Sequence, residues 1–269
     1  MDSLKIYCVT NKIVKALSEV EYEIGWVGQE KPPKNYITCN NGDNIFYKEK
    51  YYSELTFHYW YWKNQLNVNN NEGWYGFCQK RRFWIKENFS QETVNKSNFK
   101  ESILNIVPKK WEGYDAIVCK KIDVSNVKKM KILKRGFRSI LKEPGILFDK
   151  NKCTIKLHFD MFHGHGNLEK AANLLNEEDR KDFLDYINGR TSFHPHIMFI
   201  AKKNTINNWF NSLFPWLERC ERIFGFDNLS GYDSQRLYAY LAERYLSFWF
   251  EKYTKSLEWP WIFYEEKSF

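Results

Sequence analysis

The 269-residue sequence has no Cys-x-x-Cys pair, no apolar run approaching a membrane span, no internal repeat and no domain linker. Each absence excludes something. Six scattered cysteines, Cys8, Cys39, Cys78, Cys119, Cys153 and Cys220, several inside apolar runs, argue against a disulfide framework and predict buried free thiols in a reducing cytoplasm. Without a long apolar run no helix is expected to cross a bilayer, and Met1–Tyr7 lacks a signal-peptide core, so a soluble or peripheral protein is expected. Without linker or repeat, residues 1–269 are expected to form a single α/β domain.

What is abundant is aromatic and positive. Phe, Trp and Tyr make up 18% of the chain, most of them destined for the core. A net charge of +8 favours an anionic partner: a nucleotide, a nucleic acid or acidic lipid headgroups.

Periodicity orders the chain. Lys5–Thr10 (KIYCVT) reads as a first buried strand, Tyr114–Cys119 and His196–Lys202 as two more, and Gly73–Trp84 as an apolar strand delivering Lys80, Arg81 and Arg82 to its end. Over 51–66, Tyr52, Leu55, Tyr59, Trp62 and Leu66 recur at spacings of three and four, predicting an amphipathic helix with Glu54 and His58 on a neighbouring stripe. Residues 154–187 read as helical with a break at His163-Gly164-His165-Gly166, and two long helices follow over about 204–224, kinked at Pro215, and about 233–252. Strands alternating with helices predict a largely parallel sheet flanked by helices.

Such sheets bind ligands beyond the carboxyl ends of their strands. Thr10-Asn11 and Lys80-Arg81-Arg82 are thereby expected to meet at one site, joined by the Gly42-Asp43-Asn44 loop. Guanidinium forks suit a diphosphate; the alternative is a solvated strand end, and for the loop a plain turn. A second constellation is His158, Asp160, His163, His165, His194 and His196, a donor set for zinc or iron in a metal-dependent hydrolase, unless the histidines serve a helix and its end. Glu243-Arg244 is a third: a charged pair beside the apolar stripe of the last long helix, structural or lining a cleft floor. A basic nucleic-acid binder remains a further class, although no RNA- or DNA-binding motif is present and the cations are dispersed.

Taken in order and spacing, KIYCVTNK (5–12), NGDNIFYKEKYYSELTFHYWYWKN (41–64), YGFCQKRRFW (75–84), YDAIVCKK (114–121), MFIAKK (198–203), Leu213-Phe214-Pro215 and YLAERYLSFW (240–249) resemble the bacterial capsule and O-antigen galactofuranosyltransferase family, long known only as a domain of unknown function. The resemblance implies a GT-A-like glycosyltransferase at the bacterial cell surface pathway's cytoplasmic side, moving a furanose from a UDP donor to a glycan or lipid-linked glycan, peripheral at the inner face of the membrane. No nucleic-acid partner is implied. The furanose implied by the resemblance is galactofuranose, but three departures near the expected cleft, Thr10-Asn11-Lys12 for Thr-His-Lys, Cys78-Gln79-Lys80-Arg81-Arg82 for Cys-His-Tyr-Arg-Arg and Ile197-Met198-Phe199 for Asn-Met-Phe, leave an N-acetylated or other furanose as the alternative.

With no Asp-x-Asp motif on an equivalent strand, no cofactor is expected, Mg or Mn being the alternative, and Lys80, Arg81 and Arg82 are expected to carry the charge of the leaving diphosphate. Inverting transfer needs a carboxylate base. Glu243 is the first candidate, then Asp115 and Glu54; Glu54 is alternatively a sugar-hydroxyl partner, and Arg244 orients Glu243 or touches phosphate. Trp60, Trp62 and Trp74 are stacking candidates whose bland alternative is the core.

Overall fold

The computed structural model describes residues 3–68, 72–126, 136, 140–141, 144–231 and 233–265. These residues cluster into two compact units. The first comprises Met1–Lys120, His196–Asn211 and Phe250–Phe269, the second Lys121–Pro195 and Ser212–Trp249.

The first unit is built on a mixed sheet. Strands β1 (Ser3–Thr10), β2 (Glu23–Trp26), β3 (Ile37–Thr38), β4 (Gly73–Gln79), β5 (Arg82–Trp84), β6 (Ala116–Cys119), β9 (Phe199–Lys202), β10 (Ser256–Trp259) and β11 (Trp261–Phe263) belong to it. Its order is β10-β6-β9-β4-β1-β2-β3, with β5 and β11 attached at the end of β4. The pairs β1–β2, β1–β4, β2–β3 and β6–β10 are parallel, and β9 runs antiparallel between β4 and β6. The expected mostly parallel sheet flanked by helices is found, with long helices towards the end of the chain.

Both faces of this sheet are covered, which is why its strands read as continuous apolar runs instead of alternating ones. Side chains alternate across a strand. Ile6 and Cys8 of β1, Trp74 and Cys78 of β4 and Ile200 of β9 therefore enter one core, with Trp84, Trp111 and Trp259. Tyr7, Phe77 and Phe199 enter the other, against Phe57 and Tyr61 of α2 (Leu55–Asn64), Phe210 and Phe250. At the centre β4 carries Gly76, where a Cβ would lie 2.7 Å from Ile200 Cγ1 and 3.1 Å from Ile6 Cγ1, so no larger residue fits without displacing the core.

Helix α2 departs from the expected stripe. A separate turn, α1 (Glu49–Tyr52), precedes it, and Ser53 between them takes φ 52°. Leu55, Thr56, Phe57, His58, Trp60 and Tyr61 are all buried while Tyr59 and Trp62 are partly exposed, because the helix is covered on more than one side. Trp60 and Trp74 are core residues; Trp62 Nε1 donates to Asn207 Oδ1 at 3.1 Å. All six cysteines are buried free thiols, as expected.

The second unit is mainly helical, with a two-stranded antiparallel pair of β7 (Ile122–Asp123) and β8 (Ser192–Phe193), which come together from far apart in the sequence. The expected helical stretch resolves into α4 (Ile155–His163), α5 (Asn167–Ala172) and α6 (Glu177–Gly189), α3 (Phe99–Ser102) being a one-turn helix of the sheet unit. Thr154 caps α4 by accepting from Leu157 N–H, and Gly164 (φ 105°) and Gly166 (φ 80°) provide the predicted break. Phe183, Trp216, Tyr245 and Phe248 pack together between α6, α7 (Lys203–Phe224) and α8 (Leu237–Tyr253). α7 continues as helix through Pro215. Among the described residues no helix is long and apolar enough to cross a membrane.

Candidate active site

Parallel pairing of β1 with β4, in register from Ser3↔Gly73 to Val9↔Gln79, brings their carboxyl ends together. Backbone continues the pairing, Lys80 N–H donating to Val9 O at 3.2 Å. Asn11, just past β1, and Lys80, just past β4, then bond side chain to side chain, Lys80 Nζ donating to Asn11 Oδ1. Asn11 Nδ2 in turn donates to Glu49 Oε1 at 3.1 Å. Thr10 Oγ1 accepts from Lys12 N–H at 3.1 Å and shapes the turn that presents Asn11.

The three cations are not a loose strand end. β4 stops at Gln79, Lys80 and Arg81 form a two-residue turn, and Arg82 opens the antiparallel β5. Arg81 Nη1 pairs with Glu265 Oε1 at 2.8 Å, and Arg82 Nη1 donates to Gln79 Oε1 at 3.0 Å. Both guanidinium carbons lie 5.5 Å from the Phe263 ring centre. Gln79 is the hub: its amide also donates to Glu54 Oε1 and, at 2.8 Å, to His196 O.

Backbone strain collects at the same place. Among the described residues three that are not glycine have positive φ: Ser53 (52°), His196 (74°) and Ile197 (51°). Ser53 precedes Glu54 and follows the helix turn carrying Glu49, and His196 offers Gln79 its carbonyl. Such conformations persist only where surrounding structure enforces them, and they gather at ligand sites. They also explain why β9 starts at Phe199 and not at the expected His196.

Beside Asn11 a cleft of about 190 Å³ opens at the carboxyl ends of β2 and β3, lined by Trp26, Gly28, Thr38, Asn40 and Phe46 among others. A Cβ on Gly28 would stand 2.8 Å from Asn11 O, so the glycine keeps this wall thin.

Asp43 and Asn44 are engaged otherwise. Asp43 Oδ1 accepts from Tyr59 Oη at 3.2 Å, Asp43 N–H donates to Asn64 Oδ1 at 3.1 Å, and Asn44 Oδ1 caps Phe46 N–H at 3.1 Å. The loop is thus tied to α2. Asp115 is placed elsewhere in the sheet: it precedes β6, its Oδ2 accepts from Lys255 N–H at 2.9 Å, and it lies level with Trp74 through the β4–β9–β6 register. Six residues of β4, roughly 20 Å at about 3.3 Å per residue, separate that level from Lys80. The candidate base Asp115 is therefore at the wrong end of the strands to serve this site.

In the second unit Arg244, 1% exposed, pairs with Glu243 Oε2, and its guanidinium lies 4.0 Å from the Phe193 ring centre. Arg244 Nη2 is 3.3 Å from His158 Nδ1; as Arg only donates, that nitrogen accepts and the proton sits on Nε2. Burial pulls the Arg244 pKa down while Glu243 opposes the shift. Two more histidines are also committed: His163 stacks on Tyr240 with ring centres 3.7 Å apart and donates from Nδ1–H to Asp233 O at 2.9 Å, and His165 Nδ1 is 3.4 Å from Asp160 Oδ2. Among the described residues no group of three or more His, Cys, Asp or Glu side chains is disposed to hold a metal ion, so the donor set of the alternative hydrolase reading does not assemble among them.

Residues 5–255 match the family model described as Domain of unknown function (DUF4422). The chain belongs to the DUF4422 family. No curated protein matches it. Among solved structures, this DUF4422 chain is similar to that titled WbbM bifunctional glycosyltransferase, apo structure, with a TM-score of 0.72 at 20% identity over 98% of the present chain. It spans 46% of that longer protein, and at this identity the likeness establishes a shared fold.

The sequence expected Asn11 and Lys80 to meet, as they do; it did not anticipate Glu49, Glu265 or the carbonyl of His196 beside them, and it marked Gln79 only as a departure from the family pattern. Gln79 carried a signal, standing as it does between the last buried strand residue and the cations.

Proposed function

We propose that this DUF4422 protein is an inverting glycosyltransferase that moves galactofuranose, or an N-acetylated or other furanose, from a UDP donor to a growing capsular or lipopolysaccharide glycan. The observation that carries the reading is the junction of β1 and β4, where Asn11, Gln79 and three consecutive cations are held together over strained backbone. The likeness in fold to a glycosyltransferase supports it. So does position: of the departures from the family pattern, Lys80 bonds Asn11 and directly follows Gln79, so the three gather where a changed donor sugar would be accommodated.

In this reading the nucleoside occupies the Trp26–Phe46 cleft, and Lys80, Arg81 and Arg82 receive the diphosphate, Arg81 exchanging Glu265 for phosphate oxygens. Fixed cations there stabilise the charge that grows as the sugar–diphosphate C–O bond breaks, its electron pair leaving with UDP. An acceptor hydroxyl attacks the opposite face of the anomeric carbon while a carboxylate takes its proton. Glu243 is assigned that role, with Arg244 orienting it, and Glu54 hydrogen-bonds a sugar hydroxyl.

The test is to incubate the purified chain with UDP-pyranoses and UDP-furanoses, with and without millimolar EDTA, and measure UDP release. Release from a UDP-furanose is expected and its persistence in EDTA assigns the neutralising charge to the three cations; release from no UDP-sugar overturns the function.

A further inference from the structure

The side-chain amide of Gln79, the last residue of β4, has only one possible orientation. Its Oε1 accepts from Arg82 Nη1 at 3.0 Å, and a guanidinium only donates. Its Nε2 donates to Glu54 Oε1 and, at 2.8 Å, to His196 O. A flipped amide would set its oxygen against a carboxylate and a carbonyl, and its N–H groups against a cation.

Each partner is also fixed from a second side. Glu54 follows Ser53, whose φ of 52° turns the chain between α1 and α2. His196 has φ 74°, and its ring meets that of Trp261 in β11 edge to face with centres 4.7 Å apart. β11 pairs with β5 through Phe263↔Arg82, and the Arg82 guanidinium carbon lies 5.5 Å from the Phe263 ring centre. The contacts run from Gln79 through His196, Trp261 and β11 to Arg82 and back to Gln79, with Glu54 held on the same amide. All of these residues belong to the first unit. Gln79, Glu54, Arg82 and His196 are half-buried, shielded enough to be held and open enough to meet a ligand.

We propose that Gln79 is the positioning residue of the donor site: its one amide sets the Arg82 fork for the diphosphate and the Glu54 carboxylate for a sugar hydroxyl, so that both ends of the donor are read at a fixed spacing. This rests on the reading of the site as one for a sugar nucleotide and adds a residue that acts through two others. Free UDP engages only the Arg82 side; a UDP-sugar engages both. Loss of the amide therefore falls more heavily on turnover, where the anomeric carbon must be aligned with its leaving group, than on UDP affinity.

The test compares the wild type with two variants. Gln79→Met keeps length and bulk and removes the amide's hydrogen bonds; Gln79→Glu keeps the shape and the acceptor towards Arg82 but turns an acceptor on Glu54 and His196 O. UDP affinity is measured by titration calorimetry, and kcat and KM with the UDP-sugar that the wild type consumes. Both variants should lower kcat by about a hundredfold, the cost of a misplacement of about 1 Å. Gln79→Met should weaken UDP binding by no more than about tenfold, and that loss should vanish in an Arg82→Ala background. A merely structural role would lower the melting temperature and the number of binding sites while leaving kcat per site unchanged, and would overturn the proposal. Wild-type turnover in Gln79→Glu, or a loss of UDP affinity that persists with Arg82→Ala, would overturn it too while leaving the donor site standing. A wild type that binds no UDP would overturn the donor site, and this role with it.

Discussion

Glu265→Gln should tighten UDP binding. Arg81 is held by Glu265 at 2.8 Å, and a diphosphate that recruits Arg81 must displace that carboxylate. The two side chains are 41% and 43% exposed, so their pairing is worth about 0.2–1 kcal/mol, the range for solvent-screened ion pairs. Removing the competitor therefore improves affinity by no more than about fivefold. Arg81→Ala removes the charged donor itself and should cost about 1.5–3 kcal/mol, roughly ten- to 150-fold. Because Glu265 acts through Arg81, adding Glu265→Gln to Arg81→Ala should change nothing more, and the cycle measures the coupling. Titration calorimetry with UDP on the four proteins provides all the numbers. Affinity unaffected by Arg81→Ala, or an equal gain from Glu265→Gln in both backgrounds, would refute the assignment of Arg81 to the diphosphate.

Glu243→Gln should lower turnover by about two to four orders of magnitude while leaving UDP affinity and the circular dichroism spectrum unchanged; full turnover moves the base elsewhere. Gly76→Ala should destabilise by about 1–3 kcal/mol in urea unfolding, since its methyl must displace Ile200 or Ile6. Burial holds the His58 pKa down at about 3 and that of His163 at about 4, so both stay neutral in the folded protein where the unfolded chain already takes up protons. Their contribution is complete above the unfolded value of about 6.5 and is lost as pH falls through that value towards 3–4, at about 1.4 kcal/mol per pH unit for each histidine. The melting temperature should accordingly drop between pH 7 and 5, and less steeply in His163→Phe; equal slopes would remove His163 from the account.

The parts that were legible in the sequence are those whose surroundings are symmetrical or whose signal is local. β1 and β4, buried on both faces, read as unbroken apolar runs, and the glycines at 164 and 166 marked the helix break. α2 misled because it is covered on several sides, so spacing could not single out one buried stripe. β2, β3, β10 and β11 are two to four residues long, too short for a period to register. The meeting of Asn11 with Lys80 followed from parallel neighbours sharing a carboxyl edge. Glu49, Gln79 and Glu265 did not, because their places depend on the Ser53 turn and on a return of the chain from far along the sequence.

That return also has a biosynthetic consequence. β6 finds its two partners only in β9 and β10, some 80 and 140 residues later, and β5 waits for β11. A ribosome-bound chain will hold these hydrogen-bonding edges open until residue 263 has emerged. A sheet whose last-made strands, β10 and β11, cover the edges of β6 and β5 carries a long-range closure that slows its completion and leaves those edges open to wrong pairing in any chain cut short of Ser256.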